Sequence, residues 1–443
     1  MSERPDKPPI IVSIDETLDG IDIKEDSSFL IVSSSSSESC LASGILCKGL
    51  IRSNCRFHLT FVEPIVSSNT LSKLILSYPH LYPIVIGVST VDDTPLALSD
   101  RSLISVGGTP NNSSDLINCI NLADSDLGCA SYMIIRNHFI AKEEDLALAA
   151  ISSLLRTGNP SESSICAGEA VDIALELGLV SKNKELRVYG VNFLPLKEIF
   201  LKSIHPYIQG ISGNQIAVEK LFDGADISFS HRTEPLMRLN NDQIRNLSSE
   251  LLPHVNLDII PLVSGTDYKI LSEKEESPMY RLSAIQALSI ISWANSHPGL
   301  LTGVWIGDRA RLLRELLDLY SDQAIKVIDT VRDLALKSKD FDANEIGSIS
   351  IIELNETSSV LSLVGTIALQ NSFIDSDRIL VFDSSIELVV IWPPSLLEFR
   401  HIVSEVAKAG LEYKTLSYRS IAISKKTPES KTQVLSILTE LSE

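Results

Sequence analysis

A chain of 443 residues with 44% hydrophobic and 21% charged residues has an ordinary soluble composition, long enough for two or three domains with a core in each. Its 57 acidic against 38 basic residues leave a net charge of −19; a field of that sign repels nucleic acid, so any DNA contact is expected to be local or shared with a partner. No run reaches the ~18 uncharged apolar residues of a membrane-spanning helix, and the opening MSERPDKPP lacks the apolar centre of a signal peptide, so a cytoplasmic protein is expected.

The first third alternates short apolar runs with helical patterns. Strands are expected at Phe29–Val32, Phe57–Val62, Pro83–Val88, Leu103–Val106 and Ile117–Leu122. Helices are expected at Cys40–Ile51, Thr70–Leu76, Gly128–Ile135 and Glu144–Arg156. That alternation implies a parallel sheet covered on both faces. From Ala167 to Leu252 the pattern is mainly helical, with a turn at Ser212-Gly213-Asn214. The second half reads as a strand at Leu257–Val263, a helix at Tyr280–Ala294, a strand at Leu301–Ile306 and a helix at Asp308–Leu336 broken around Asp322. Strands at Ser348–Leu354, Arg378–Phe382, Glu387–Ile391 and Ser420–Ser424, with helices at Val360–Gln370 and Leu396–Ala409, make a second α/β domain.

Between the first strand and its helix stand five consecutive serines, Ser33 to Ser37, with Glu38 as the only acid. Such a crossing is where α/β proteins place phosphate or metal chemistry. Hydroxyls with one carboxylate make a poor site for a hard divalent cation, which wants several carboxylate oxygens. The chain has no phosphate-binding glycine loop, nucleophile elbow or zinc-helix motif. Its eight histidines share no ligand spacing, and its six cysteines, all within the first 166 residues, contain no C-x-x-C pair and read as buried free thiols.

Taken in order, these elements resemble the DHH phosphoesterase superfamily, in particular the archaeal RecJ-like proteins and their eukaryotic relative, cell division control protein 45. In IVSSSSSESCLASG the helix residues Ser43-Gly44 match the small pair that follows the family's D-A-D-G, which then falls on Ser37-Glu38-Ser39-Cys40. The next motif aspartate falls on Gly87 in IVIGVST, and D-H-H falls on Val106-Gly107-Gly108 in LISVGGTP. The fourth falls near Ser153 in AAISSLLRTG. ELRVYGVNFLPLKEIFLKSIHPYIQGISG resembles the connector of the RecJ-like group, and RLSAIQALSIISWANSHPGLLTGVWIGD the entry to its second domain. Where that domain carries a glycine-rich substrate loop, this chain reads AGLEYKTLSYRSIAIS.

The resemblance implies a degenerate DHH-like α/β domain over residues 1–182, a connector over 183–278 and a smaller DHH-associated α/β domain over 279–443. Ser37, Ser39, Gly87 and Gly107 are then expected to meet at the strand ends, along one wall of a cleft. Active members hold two manganese or magnesium ions with the residues replaced here, so no metal, cofactor or nuclease activity is expected. The resemblance instead implies a pseudo-enzyme in the archaeal replicative helicase, binding GINS and through it MCM. Single-stranded DNA is expected to be held weakly, with Lys414, Tyr418 and Arg419 as candidate contacts. The rival reading is an active single-strand exonuclease or phosphodiesterase recruiting Asp92, Asp93, Asp124 or Asp126.

Overall fold

The computed structural model describes residues 27–92, 94–98, 102–108, 117–120, 126–156, 165–337, 344–393, 396–427 and 429–442. The chain divides into two units, one of residues 1–181 with 270–272 and 297–313, the other of 182–269, 273–296 and 314–443.

The first unit is built on five strands: β1 (Phe29–Ser34), β2 (Phe57–Val62), β3 (Tyr82–Ile86), β4 (Leu103–Val106) and β5 (Ile117–Ile120). They run in the order β2-β1-β3-β4-β5, every pair parallel. β1 is buried along its whole length, as a central strand with helices on both faces must be. On one face Leu30, Val32, Val85 and Leu103 pack with Leu71 and Ile75 of α2 (Ser68–Leu76). On the other lies α1 (Ser37–Arg52), buried on nearly every side. Its small residues let neighbours come close: a Cβ on Gly44 would sit 2.6 Å from the Trp305 Cβ, and one on Gly49 would sit 2.4 Å from Ile135. Helices α3 (Leu127–His138), α4 (Glu143–Leu154) and α5 (Ile165–Glu176) complete the unit. Asp145, fully buried at the start of α4, takes two hydrogen bonds of 2.6 Å from the Arg52 guanidinium and a third from the Lys142 amide.

In the second unit, a two-stranded sheet pairs β6 (Val180–Leu186) with β7 (Ser264–Ile270). Short helices between them pack around Leu196, Phe200, Ile208, Phe222 and Leu247. Arg281, at the start of α6 (Leu282–Ala294), bridges Glu185 and the buried Asp267, which also caps the helix by accepting from Ser283 N and Oγ. After α7 (Arg311–Lys337) comes a sheet of β8 (Asn344–Ile346), β9 (Ile349–Glu353), β10 (Ile379–Asp383), β11 (Glu387–Ile391), β12 (Tyr413–Ser417) and β13 (Ser420–Ser424). Its order is β8-β9-β10-β11-β13-β12, and only β9/β10 is parallel. Helices α8 (Ser358–Gln370), α9 (Phe399–Lys408) and α10 (Glu429–Ser442) accompany it.

The N-terminal parallel sheet, helical middle and C-terminal α/β sheet agree with the sequence reading. Four local expectations are corrected. Leu257–Val263 is a 3-10 turn and a short helix, because Pro261 offers no amide to a ladder. Leu301–Ile306 belongs to a helix, Pro298–Ile306, with proline in the first turn where its missing N–H costs nothing. The helix expected to break near Asp322 runs unbroken from Arg311 to Lys337. The helix after the serine run starts at Ser37, three residues before Cys40.

Candidate functional site

A parallel sheet gathers the carboxyl ends of its strands with the following helix starts. β1 ends at Ser34 and α1 begins at Ser37, with Ser36 as N-cap accepting from the Ser39 amide at 3.3 Å. β3 is followed at once by Gly87, whose amide donates to Val106 O at 2.9 Å. β4 ends at that Val106, and the amide of the next residue, Gly107, donates to Ile120 O at 2.9 Å. Gly87, Gly107 and Gly108 have φ of 65°, 59° and 80°, the left-handed region that glycine enters without strain. A Cβ on Gly108 would stand 2.3 Å from Val88 O. One on Gly87 would stand 2.1 Å from Ser39 Oγ and 3.1 Å from Ser34 Oγ.

That crowding marks a closed set of hydroxyls. Ser34 Oγ and Ser36 Oγ lie 2.7 and 2.9 Å from Ser39 Oγ and 3.0 Å from one another, so with one proton each the three can close a ring in which each donates to the next. Ser33 Oγ adds a bond of 3.2 Å to Ser39 O. All four residues are buried. A hydroxyl both donates and accepts, so a ring of three satisfies itself. Carboxylates at such spacings would repel unless a cation lay among them.

Around the ring, Glu38 is 1% exposed in the first turn of α1, and Asp126, 2% exposed, immediately precedes α3. Leu127, the next residue, comes to 3.1 Å from where a Gly87 Cβ would lie. The Cys40 thiol is pushed up to about 12 by burial, a bond with the Thr302 hydroxyl opposing and the Glu38 charge adding, so it stays protonated. Cys47 and Cys129 are likewise buried and free, and Cys55 is free but half-buried. Asp92 accepts from the Ser68 and Thr94 amides, a turn-and-cap role. Asp93 and Asp124 lie outside the described residues. Among the described residues no three His, Cys, Asp or Glu side chains converge as a metal site.

The structure thus joins Ser39 and Gly87 directly, with Val106, Gly107 and Gly108 on the neighbouring strand end. Ser37 lies buried in the first turn of α1. Ser153 sits on α4, donating to Ala149 O at 3.1 Å and facing Cys129 Sγ at 3.7 Å. Sequence reasoning did not single out Ser34 and Ser36, although a serine three residues before Ser39 is the spacing of an N-cap.

In the second unit, the segment AGLEYKTLSYRSIAIS forms the β12–β13 hairpin. It has its own hydroxyl chain, Ser417–Ser420 at 2.8 Å and Ser420–Ser362 at 2.6 Å. Lys414 is exposed on edge strand β12 and Arg419 is exposed in the turn. Tyr418 instead packs edge-on against Trp293, 4.7 Å between centroids, and against Phe399 at 5.6 Å. Lys425 and Lys431 both bind the Asp383 carboxylate, and Lys426 binds Glu412.

No protein-family model matches the sequence, and no curated protein matches it. Solved structures do. RecJ in complex with Mn2+ from Thermus thermophilus gives a TM-score of 0.49 at 8% identity, over 98% of this chain and 53% of that one. CDC45 from Entamoeba histolytica gives a TM-score of 0.62 at 9% identity, over 97% of this chain and 99% of that one. The chain has the fold of CDC45 along nearly its whole length.

Proposed function

We propose that this protein is a non-catalytic subunit of a replicative helicase, a DHH pseudo-enzyme that binds GINS and, through it, MCM. The observation carrying this reading is the strand-end site itself. Where the RecJ-like resemblance calls for metal-binding aspartates stand Ser37 and Ser39, the latter bonded to the Ser34 and Ser36 hydroxyls, within a fold shared with CDC45 over 97% of the chain. Among the described residues no carboxylates gather as a ligand set to lower the pKa of a bound water, which supports a non-catalytic role. A scaffold kept while its chemical groups are replaced fits selection for surfaces. The resemblance supplies the GINS and MCM partners and the archaeal setting, and the net charge of −19 argues for work done through proteins.

The test is affinity purification of the tagged chain from its own cells, followed by reconstitution with MCM. GINS and MCM should be recovered and MCM unwinding stimulated. Recovery of RNA-processing factors alone would sink the replication role.

A further inference from the structure

Helices α3, α4 and α5 of the first unit line a small hollow of about 80 Å3 floored by Met133, Leu146, Ala149, Ala170 and Ile173. Tyr132 and Arg136 stand at its rim. Ala170 and Ile173 are three residues apart on α5, and Leu177, 61% exposed just past its end, continues the same stripe outward. Each of these apolar residues is preceded by an acid: Glu169, Asp172 and Glu176. At helical spacing these form a second stripe along the flank of the first. Asp172 and Glu176 are exposed. Glu169 has a buried Oε2 with no hydrogen-bond partner. Glu143, at the start of α4, puts its charge near the Tyr132 phenol.

An apolar hollow flanked mainly by acids has a definite complement. Acidic peptides and nucleic acid are repelled, and a purely apolar segment leaves the carboxylates unused. We infer that the α3–α4–α5 groove docks a basic amphipathic helix of a partner protein. One apolar side chain of that helix fills the hollow, where the unbranched Met133 adapts to it. Its lysines or arginines reach the exposed Asp172 and Glu176. This inference names a surface and a chemistry, and does not depend on the replication reading.

The test uses the full chain and a fluorescein-labelled Leu/Lys amphipathic peptide of about 18 residues, with a Leu/Glu version as control. Anisotropy should show binding of the Leu/Lys peptide alone. D172K/E176K should weaken it ~10-fold or more, and L177S should weaken it several-fold. D318K/D322K, the same charge change on exposed positions of α7, should alter it by less than about twofold. Hydrogen exchange should slow on α3 and α5 when the peptide is bound. All these substitutions are at surface positions, so the fold survives them. Failure to bind, or equal weakening by both charge reversals, overturns the groove. A chain that recovers GINS but ignores the peptide refutes only this inference; the reverse result refutes only the replication role.

Discussion

Gly87→Ala tests the closed hydroxyl ring directly. Two costs arise. At φ of 65° a Cβ is strained by about 1–2 kcal/mol. The new methyl would also lie 2.1 Å from Ser39 Oγ, which must rotate away and abandon its bonds to Ser34 and Ser36. Two buried hydrogen bonds at about 1 kcal/mol each, with hydroxyls left unpaired, bring the total to roughly 3–5 kcal/mol. Ser39→Ala alone loses the same bonds without backbone strain and should cost about 1–2 kcal/mol. In the double variant the severe 2.1 Å clash with Ser39 Oγ is gone, so the combined loss should fall short of the sum by about 1–2 kcal/mol. A chain of two units need not unfold in one step, so the readout is native-state hydrogen exchange of α1 amides near Cys40 and Leu41. If Gly87→Ala lowers their protection by less than ~1 kcal/mol, or if the two changes simply add, the ring does not hold this strand end together.

Addition of Mn2+ should leave the unfolding transition where it is, whereas a bound ion at a thousand times its Kd would stabilise by about 4 kcal/mol. Pure protein with Mn2+ should not degrade single-stranded DNA, and activity abolished by Asp126→Ala would establish the rival exonuclease reading. Arg52→Ala should cost about 3–5 kcal/mol by leaving the buried Asp145 carboxylate without its bidentate partner, read by urea unfolding. His205 is depressed from 6.5 to about 4 by burial, with Arg187 adding. The unfolded chain therefore takes up the proton first, so this stability is whole above about pH 6.5 and is lost as pH falls towards 4. Against His205→Asn, the wild type should lose about 2 kcal/mol more between pH 7 and pH 5; equal losses would refute the assignment. Single-stranded DNA should bind more weakly than micromolar, with Lys414→Ala and Arg419→Ala each lowering the salt slope by about one. Tyr418→Ala should instead loosen the Trp293–Phe399 cluster, seen as lower thermal stability.

Much of this fold can be read from the sequence, because its central strands are short β-branched runs ending in serine or glycine. FLIV, PIVI and LISV could hardly be anything but buried parallel strands. What escaped has specific causes. LTGVWI is as apolar as a strand, and only Pro298 before it signals a helix. VSKNKEL and SGTDYKI pair as strands with few apolar residues, since their pairing is decided by the Arg281, Glu185 and Asp267 charges that meet there in space. Gly87 and Gly107 could be placed from the chain because each follows a strand. Membership of Ser34 and Ser36 in the ring could not, because hydroxyl-to-hydroxyl bonding follows from a three-dimensional corner that the serine run does not encode. The aromatic packing of Tyr418 is of the same kind, depending on a tryptophan more than a hundred residues earlier.

The serine ring also acts as a ratchet. Suppose one member, Ser34, Ser36 or Ser39, is replaced by aspartate. The newcomer brings a buried charge among hydroxyls that already bond one another, in a corner that also buries Glu38 and Asp126. Its penalty falls due at once, and at Gly87 there is no room for a carboxylate side chain. Each single replacement of that kind therefore lowers stability. A lineage with this corner can elaborate its outer surfaces freely, while carboxylates added to the strand end one at a time each meet that penalty.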